Sequence, residues 1–369
     1  MWLATWDGVY FANIACHGYQ HEQNFAFFPG LAAIGSWARG MPSCRCWAAA
    51  SIEAANAVAF FLATAMLFKL TREVMGNERD ARVAAMLFAV NPALPFFGAA
   101  YTESIFALLV FSALYWLLLP ASILFALATC MRSNGVVTAG FVVHFALCTS
   151  SSIPRALARA CFGVAIIVAP FIAFQAYAYT VFCIDRTGDD GHTTVAYDPP
   201  PPWCNSTIPS IYGYIQHHYW HVGFLQQYQA AQLPNFVLAA PVMVASVAAV
   251  WTHTQQGHNR TTMMATTTTP AITRPPRTRA HCNATAGGFG DGRVFVVAVY
   301  HAFLSLFALL TMHVQVSTRL LASASPLLYW FGAHVFRTGA WWQGSVWLRV
   351  SLAYAVMGTA LHALFLPWT

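Results

Sequence analysis

The chain has 369 residues, 58% of them hydrophobic and only 8% charged, with a mean hydropathy of +0.54. Soluble domains carry about 25% charged residues, so the polar surface of a water-soluble enzyme is missing, and the formal net charge of +6 is too modest to argue for nucleic acid. A helix needs roughly 20 apolar residues to cross a bilayer, so this length accommodates one all-α polytopic membrane domain of roughly eight to eleven full or half spans. The apolar runs are continuous rather than alternating, which favours helices over a β-barrel.

In chain order, residues 1–45 mix Asp7, Asn13, His17, His21, Glu22 and Asn24 with aromatic residues and form a first loop rather than a span. The first long apolar block is 47–70, with Lys69, Arg72, Arg79 and Arg82 at its end. Blocks at 84–97, 104–119, 121–131 and 135–147 follow, and Arg155 and Arg159 precede one at 160–182. A polar, proline-rich loop occupies 184–233, an apolar block 236–251, and a Thr/Arg-rich linker 252–293, expected to be disordered. Blocks at 294–310, 320–335 and 346–366 close the chain. Several are shorter than about 18 residues and read as half-spans broken by polar residues. Basic residues favour the cytoplasmic side. Assigning 69–82, 155–159 and 252–293 to that side puts 1–45, 101–104, 132–135, 184–233 and 313–319 together on the opposite, lumenal side.

Charged residues beside apolar runs carry the chemical reading, because an ionisable group at membrane depth needs a partner or a function. Asp7 either caps a helix or acts as a general base near a hydroxyl; Glu22, in the same loop, is the second candidate base. Glu103 starts a helix after Thr102 or serves a site. Arg132, with Asn134 and Gly135 in a polar turn, and Arg319, preceded by His313 and Gln315, call for an anionic partner such as a carboxylate or phosphate. The alternative is an arginine snorkelling from a helix end. His217, His218 and His221 lack a matched carboxylate or thiol at zinc-ligand spacing and read as part of a wet interfacial loop, so no metal site is expected. Cys183 and Cys204 suit a disulfide if their loop faces an oxidising lumen. On these residues alone, an enzyme handling a lipid-linked phosphate competes with a transporter, although no inverted repeat of the transporter kind is visible.

The motifs also form an ordered set. Trp6-Asp7, Tyr10-Phe11, Gly18-Tyr19, Glu22 and Phe25-Ala26-Phe27-Phe28-Pro29-Gly30 come first. Asn91-Pro92, Ala99-Ala100-Tyr101-Thr102-Glu103-Ser104, Arg132-Ser133-Asn134-Gly135 and Pro170-Phe171 follow. Then come Pro202-Trp203-Cys204, Ile211-Tyr212-Gly213-Tyr214-Ile215-Gln216, Tyr219-Trp220, His313-Val314-Gln315-Val316, Thr318-Arg319 and Ser325-Pro326. In this order the set resembles the GPI mannosyltransferase II family, of the GT-C glycosyltransferases. The resemblance spans nearly the whole chain. It implies a multi-pass enzyme of the endoplasmic reticulum membrane that transfers the second, α-1,6-linked mannose from dolichyl phosphate mannose to a mannosylated GPI intermediate at the lumenal face. It implies an acidic base in the first lumenal loop, matched by Asp7, and no cofactor beyond the donor substrate. Some relatives need a small membrane partner subunit. Arg132, Asn134, His313, Gln315 and Arg319 are the expected donor-phosphate residues, by charge and topology. Trp6, Tyr19, Tyr101, Glu103, Tyr219 and Trp220 are the expected positioning residues. Family members carry a transmembrane helix before the Trp-Asp segment, so one is expected to be missing ahead of Met1. The alternative within the resemblance is another dolichyl-phosphate-mannose-dependent mannosyltransferase with a different acceptor.

Overall fold

Backbone amides in hydrocarbon must find partners within their own segment, so long apolar runs become helices. The computed structural model describes residues 5–116, 119–184, 186–187, 193–194, 200–266, 287–339 and 341–364. In chain order the helices are α1 (Asp7–His17), α2 (Pro29–Gly35), α3 (Cys44–Met75), α4 (Glu78–Ala89), α5 (Leu94–Gly98), α6 (Glu103–Tyr115), α7 (Leu119–Met131), α8 (Ala139–Thr149), α9 (Ile153–Phe182) and α10 (Ile211–His218). They continue with α11 (Leu233–Thr266), α12 (Gly292–Thr311), α13 (Ser317–Ala324), α14 (Leu327–Arg337) and α15 (Trp341–Ala363). A two-residue antiparallel ladder pairs Arg186 with Thr194 and Thr187 with Thr193.

Among the described residues, four helical stretches are long and apolar enough to cross a membrane: Cys44–Met75, Ile153–Phe182, Ala230–Gly257 and Gly292–Thr311. Only 22% to 44% of the residues in their most apolar windows are buried against protein. Water would not tolerate the rest of that apolar surface; hydrocarbon does. The chain is thus an all-α polytopic membrane protein. Helices α6 and α7 have 13 residues each. At a 1.5 Å rise they reach only about 20 Å, short of the roughly 30 Å hydrocarbon core. Running in opposite directions, they return the chain to the end where α6 began. Glu103 at the start of α6 and Arg132 just after α7 therefore become neighbours.

Packing centres on α3 against α6, α4 against α14, and α7 and α8 against α9. Phe88 of α4 sits at one junction, edge-on to Phe97, Phe111 and Tyr329. Two apolar blocks that read as continuous are broken. The 84–97 block is interrupted at Asn91-Pro92, where the Asn91 side chain donates to Phe88 O and accepts from Ala93 N. The 320–335 block divides into α13 and α14 at Ser325-Pro326; Ser325 is extended (φ −141°, ψ 132°) because proline disfavours a helical residue before it. The 252–293 linker is also not irregular throughout, since α11 runs on to Thr266; residues 267–286 lie outside the described residues.

The two ends of the bundle carry different residues. At one end Gly288 N donates to Met75 O at 2.9 Å, Arg293 donates to the carbonyls of Glu73 and Val74, and Arg337 Nε lies 3.1 Å from Asp80 Oδ2. At the other end α1, α2 and α10 cover the helices. Disulfides Cys16–Cys44 and Cys183–Cys204 fasten this cover to α3 and α9.

Candidate active site

Helix α1 begins at Asp7 with Trp6 before it at φ 52° and ψ −121°. This left-handed conformation is unfavourable for a residue with a Cβ and costs on the order of 1–3 kcal/mol; such strain gathers at functional sites. It turns the chain so that Asp7 faces α13. Asp7 is the first residue of α1 and Trp6 its N-cap; the Asp7 Oδ2 accepts from Arg319 Nη1 at 3.0 Å. Arg319 Nε also lies 3.9 Å from Glu103 Oε1, and Arg132 Nη1 donates to the same oxygen at 2.7 Å. The result is a relay of alternating charge: Asp7, Arg319, Glu103, Arg132. Thr102 makes no side-chain cap to α6, so the ion-pair reading of Glu103 prevails over the cap reading.

Aromatic rings set the arginines. The Arg319 guanidinium lies 5.3 Å from the Phe96 centroid and 5.4 Å from that of Tyr101, and Arg132 lies 5.7 Å from Phe106, within cation–π range. Asp7 N donates to the Tyr101 hydroxyl at 3.3 Å. Burial, then the adjacent Asp7 charge, holds that phenol well above its ordinary pKa, so it stays neutral. The loop carrying Tyr101 is fixed from beneath by Asn56 in the middle of α3, whose amide donates to Ala99 O and Tyr101 O, both at 2.7 Å. From the far end of the chain, His362 bonds Thr5 at 2.8 Å and packs edge-on against Phe96 and Tyr101.

These groups open onto a cavity of about 870 Å³. Asp7, Tyr101, Glu103, Arg132, Asn134, Trp220, His313 and Arg319 line its polar part. Val136, Val137, Val168, Phe171, Ile172, Leu304 and Phe307, from residues 133–138, α9 and α12, line an apolar part. Glu103 Oε2 and Asn134 Nδ2 are buried without a hydrogen-bond partner among the described residues. His313 Nε2 meets Trp220 O at 2.6 Å and ties the α12–α13 connection to the covering loop. Gly135 is required by close approach: a Cβ there would sit 2.5 Å from the Thr129 backbone. The expected tight turn is thus a close packing of residues 133–138 on α7.

Several expected site residues lie elsewhere. Glu22 is not in the cavity wall; its carboxylate accepts from Trp203 Nε1 at 2.8 Å and from the Tyr219 hydroxyl at 3.1 Å, which clamps the first loop to the second. Tyr219 belongs to that clamp, and burial followed by its hydrogen bond to Glu22 raises its pKa. Tyr19 donates to Phe27 O at 2.7 Å and packs on Phe25 and Phe174, so it supports the cavity wall from behind. Trp6 is exposed and, like the half-buried Gln315, lies outside the cavity lining. Among the described residues, no three His, Cys, Asp or Glu side chains form a metal-ligand group.

Sequence reading missed Asn56, the Phe96 ring, the Ser133–Tyr212 hydrogen bond at 2.6 Å and the Cys16–Cys44 disulfide. Asn56 alone gave a signal, as an amide inside an apolar run. The others are long-range pairings.

A membrane-embedded helical bundle with a charge relay at one end, beside a cavity that is part polar and part apolar, defines an all-α polytopic membrane protein with a charged site at one end of its bundle. All of residues 1–369 match the family model described as mannosyltransferase (PIG-V), and the chain belongs to that family. It is 36% identical to the GPI alpha-1,6-mannosyltransferase 2 of Cricetulus griseus and 35% identical to that of Homo sapiens, in both cases over 100% of this chain and 87% of the relative. The enzyme of the same name from Rattus norvegicus is 38% identical over 91% of this chain and 73% of its own length. No solved structure matches the chain.

Proposed function

We propose that this chain transfers the second, α-1,6-linked mannose of the GPI anchor from dolichyl phosphate mannose to the intermediate bearing one mannose. The observation that carries this reading is the meeting of Asp7, Arg319, Glu103 and Arg132 at one cavity with an apolar wall. The wall between α9 and α12 suits a polyprenyl chain, and the polar end suits the phosphate and sugar. The 6-hydroxyl of the acceptor mannose loses its proton to Asp7 as its oxygen attacks the anomeric carbon of the donor. The bond from that carbon to the phosphate oxygen breaks, and dolichyl phosphate leaves from the opposite face. A β-linked donor thus gives an α-linked product. Arg132 and Arg319 stabilise the charge developing on the leaving phosphate, with Asn134 and His313 as further polar contacts on the same wall. In the resting state Glu103 holds both guanidiniums in place.

The proposed location is the endoplasmic reticulum membrane, with the cavity at the lumenal face. The basic residues Arg72, Arg79, Arg82 and Arg293 at the opposite end support this orientation. Asn205-Ser206-Thr207 is an exposed glycosylation triplet on the cavity side, and its glycosylation in microsomes tests the orientation.

Expression in cells lacking their own second mannosyltransferase tests the activity. The intermediate bearing one mannose should disappear and products with two or more mannoses return. Persistence of the one-mannose intermediate at normal protein level overturns the reading. Mannose transfer to a different acceptor would assign the chain to another dolichyl-phosphate-mannose-dependent reaction.

A further inference from the structure

Three residues lining the charged cavity carry a buried polar atom with no hydrogen-bond partner among the described residues: Glu103 Oε2, Asn134 Nδ2 and Trp220 Nε1. Glu103 as a whole is only 1% exposed. A buried polar atom left open costs free energy unless a ligand or water meets it. The ion pairs of the charge relay engage the other Glu103 oxygen: Arg132 Nη1 donates to Oε1, and Arg319 Nε lies 3.9 Å from it.

Specific bonds hold the other two residues against the cavity. Asn134 follows Ser133, whose hydroxyl shares a 2.6 Å hydrogen bond with the Tyr212 hydroxyl of α10. Gln175 of α9 fixes the start of α10, its Oε1 accepting from Tyr212 N at 3.1 Å. Beyond the end of α10, Trp220 N donates to Ile215 O at 3.3 Å, and Trp220 O meets His313 Nε2 at 2.6 Å. The α10 segment thus secures both Asn134 and Trp220.

The chemistry of Glu103 selects the group it meets. A carboxylate paired with guanidiniums only accepts, so the partner of Oε2 must donate. A phosphodiester has no proton to give. A cation would donate, but Arg132 and Arg319 flank this carboxylate and repel one. A hydroxyl remains, neutral and able to donate. Asn134 Nδ2 and Trp220 Nε1 supply donors for neighbouring oxygens. One acceptor and two donor groups on one cavity suit the hydroxyls of a sugar. Arg132 and Arg319 also say which sugar. They are the arginines assigned above to the donor phosphate, and the mannose of the donor is bonded to that phosphate.

Resting on the proposed mannosyl transfer, we propose that Glu103, Asn134 and Trp220 form the subsite for the transferred sugar of the donor, with Glu103 Oε2 accepting a hydrogen bond from one of its hydroxyls. Glu103 then serves twice: Oε1 sets the phosphate-binding arginines, and Oε2 reads the sugar.

The test uses the full chain purified in nanodiscs, with the GPI intermediate bearing one mannose as acceptor. The donors are dolichyl phosphate mannose and its monodeoxy analogues, each lacking one sugar hydroxyl away from the anomeric carbon. With the unaltered chain, removing the hydroxyl that meets Glu103 should lower kcat/KM about 10–100-fold, the worth of a hydrogen bond to a charged group. Glu103→Gln should shrink the preference for the full donor over that analogue by about tenfold, because the charged acceptor is gone. A role confined to positioning the arginines would slow all donors equally and leave the preference unchanged, which overturns the proposal. Asn134→Leu and Trp220→Phe should each reduce the preference for the full donor over another of the analogues, and they carry the test if Glu103→Gln loses its folded, monodisperse peak. Transfer by the unaltered chain with every monodeoxy donor within about threefold of dolichyl phosphate mannose overturns the subsite alone. Absence of transfer by the unaltered chain overturns the mannosyltransfer reading, and the subsite with it.

Discussion

The two ends of the bundle use the same chemistry to opposite purpose. At the end bearing Met75, Asp291 is fully buried, and its carboxylate accepts from Gly287 N, Arg293 N and the Arg293 side chain. Arg293 in turn donates to Glu73 O and Val74 O. Both oxygens of the Asp291 carboxylate are taken by the protein, so the group ties α12 to the end of α3. At the cavity end Arg319 makes one short contact, to Asp7, and one long one, to Glu103. Asp7 keeps 25% of its side chain exposed, and Glu103 Oε2, although buried, has no hydrogen-bond partner among the described residues. Ion pairs whose valences are filled locally hold structure; those left partly unfilled beside a cavity can receive a ligand.

Substitutions at four positions test that contrast. Asp7→Asn keeps the shape but removes the base, and kcat in the microsomal transfer assay should fall about 10²–10⁴-fold; a fall of less than tenfold would move the base elsewhere. Arg319→Gln should lower kcat/KM about 10²–10³-fold through lost stabilisation of the leaving phosphate. Arg319→Lys should recover only part of this, because an ammonium lacks the planar fork that reaches Asp7 and Glu103 together.

At the opposite end Arg293→Ala should leave kcat per folded molecule unchanged and lower stability by about 3 kcal/mol. That is the low end for breaking a buried pair, because the Arg293 side chain is itself 36% exposed. Thermal unfolding in detergent measures it, and a selective loss of kcat would erase the distinction between the two ends. The smallest effect belongs to Glu22→Gln. The amide oxygen still accepts from Trp203 Nε1, so activity should stay within about fivefold, the worth of one weakened hydrogen bond. A loss matching that of Asp7→Asn would make Glu22 the base instead of a clamp.

Much of the site was legible because charged residues are rare in this chain. Asp7, Glu103, Arg132 and Arg319 each interrupt or border an apolar run, and such residues need partners. Their mutual pairing was not legible. Asp7 and Arg319 are 312 residues apart, and nothing local in either segment points to the other. Glu22 shows the reverse error. As a second carboxylate in the same loop it looked equivalent to Asp7, yet Trp203 and Tyr219, from a distant loop, occupy both its oxygens. The segmentation of the apolar blocks at Asn91-Pro92 and Ser325-Pro326 was written in the proline chemistry and was overlooked in favour of hydropathy.

The sequence by itself determined that the chain is a helical membrane protein, since continuous apolar runs in hydrocarbon must satisfy their backbone internally. Its charge asymmetry also separated the two ends. Only the tertiary structure decided which carboxylate faces the cavity and which arginine it meets. These are matters of long-range packing: the return of the short helices α6 and α7 to one end, the close approach at Gly135, and the Asn56 amide beneath the Tyr101 loop.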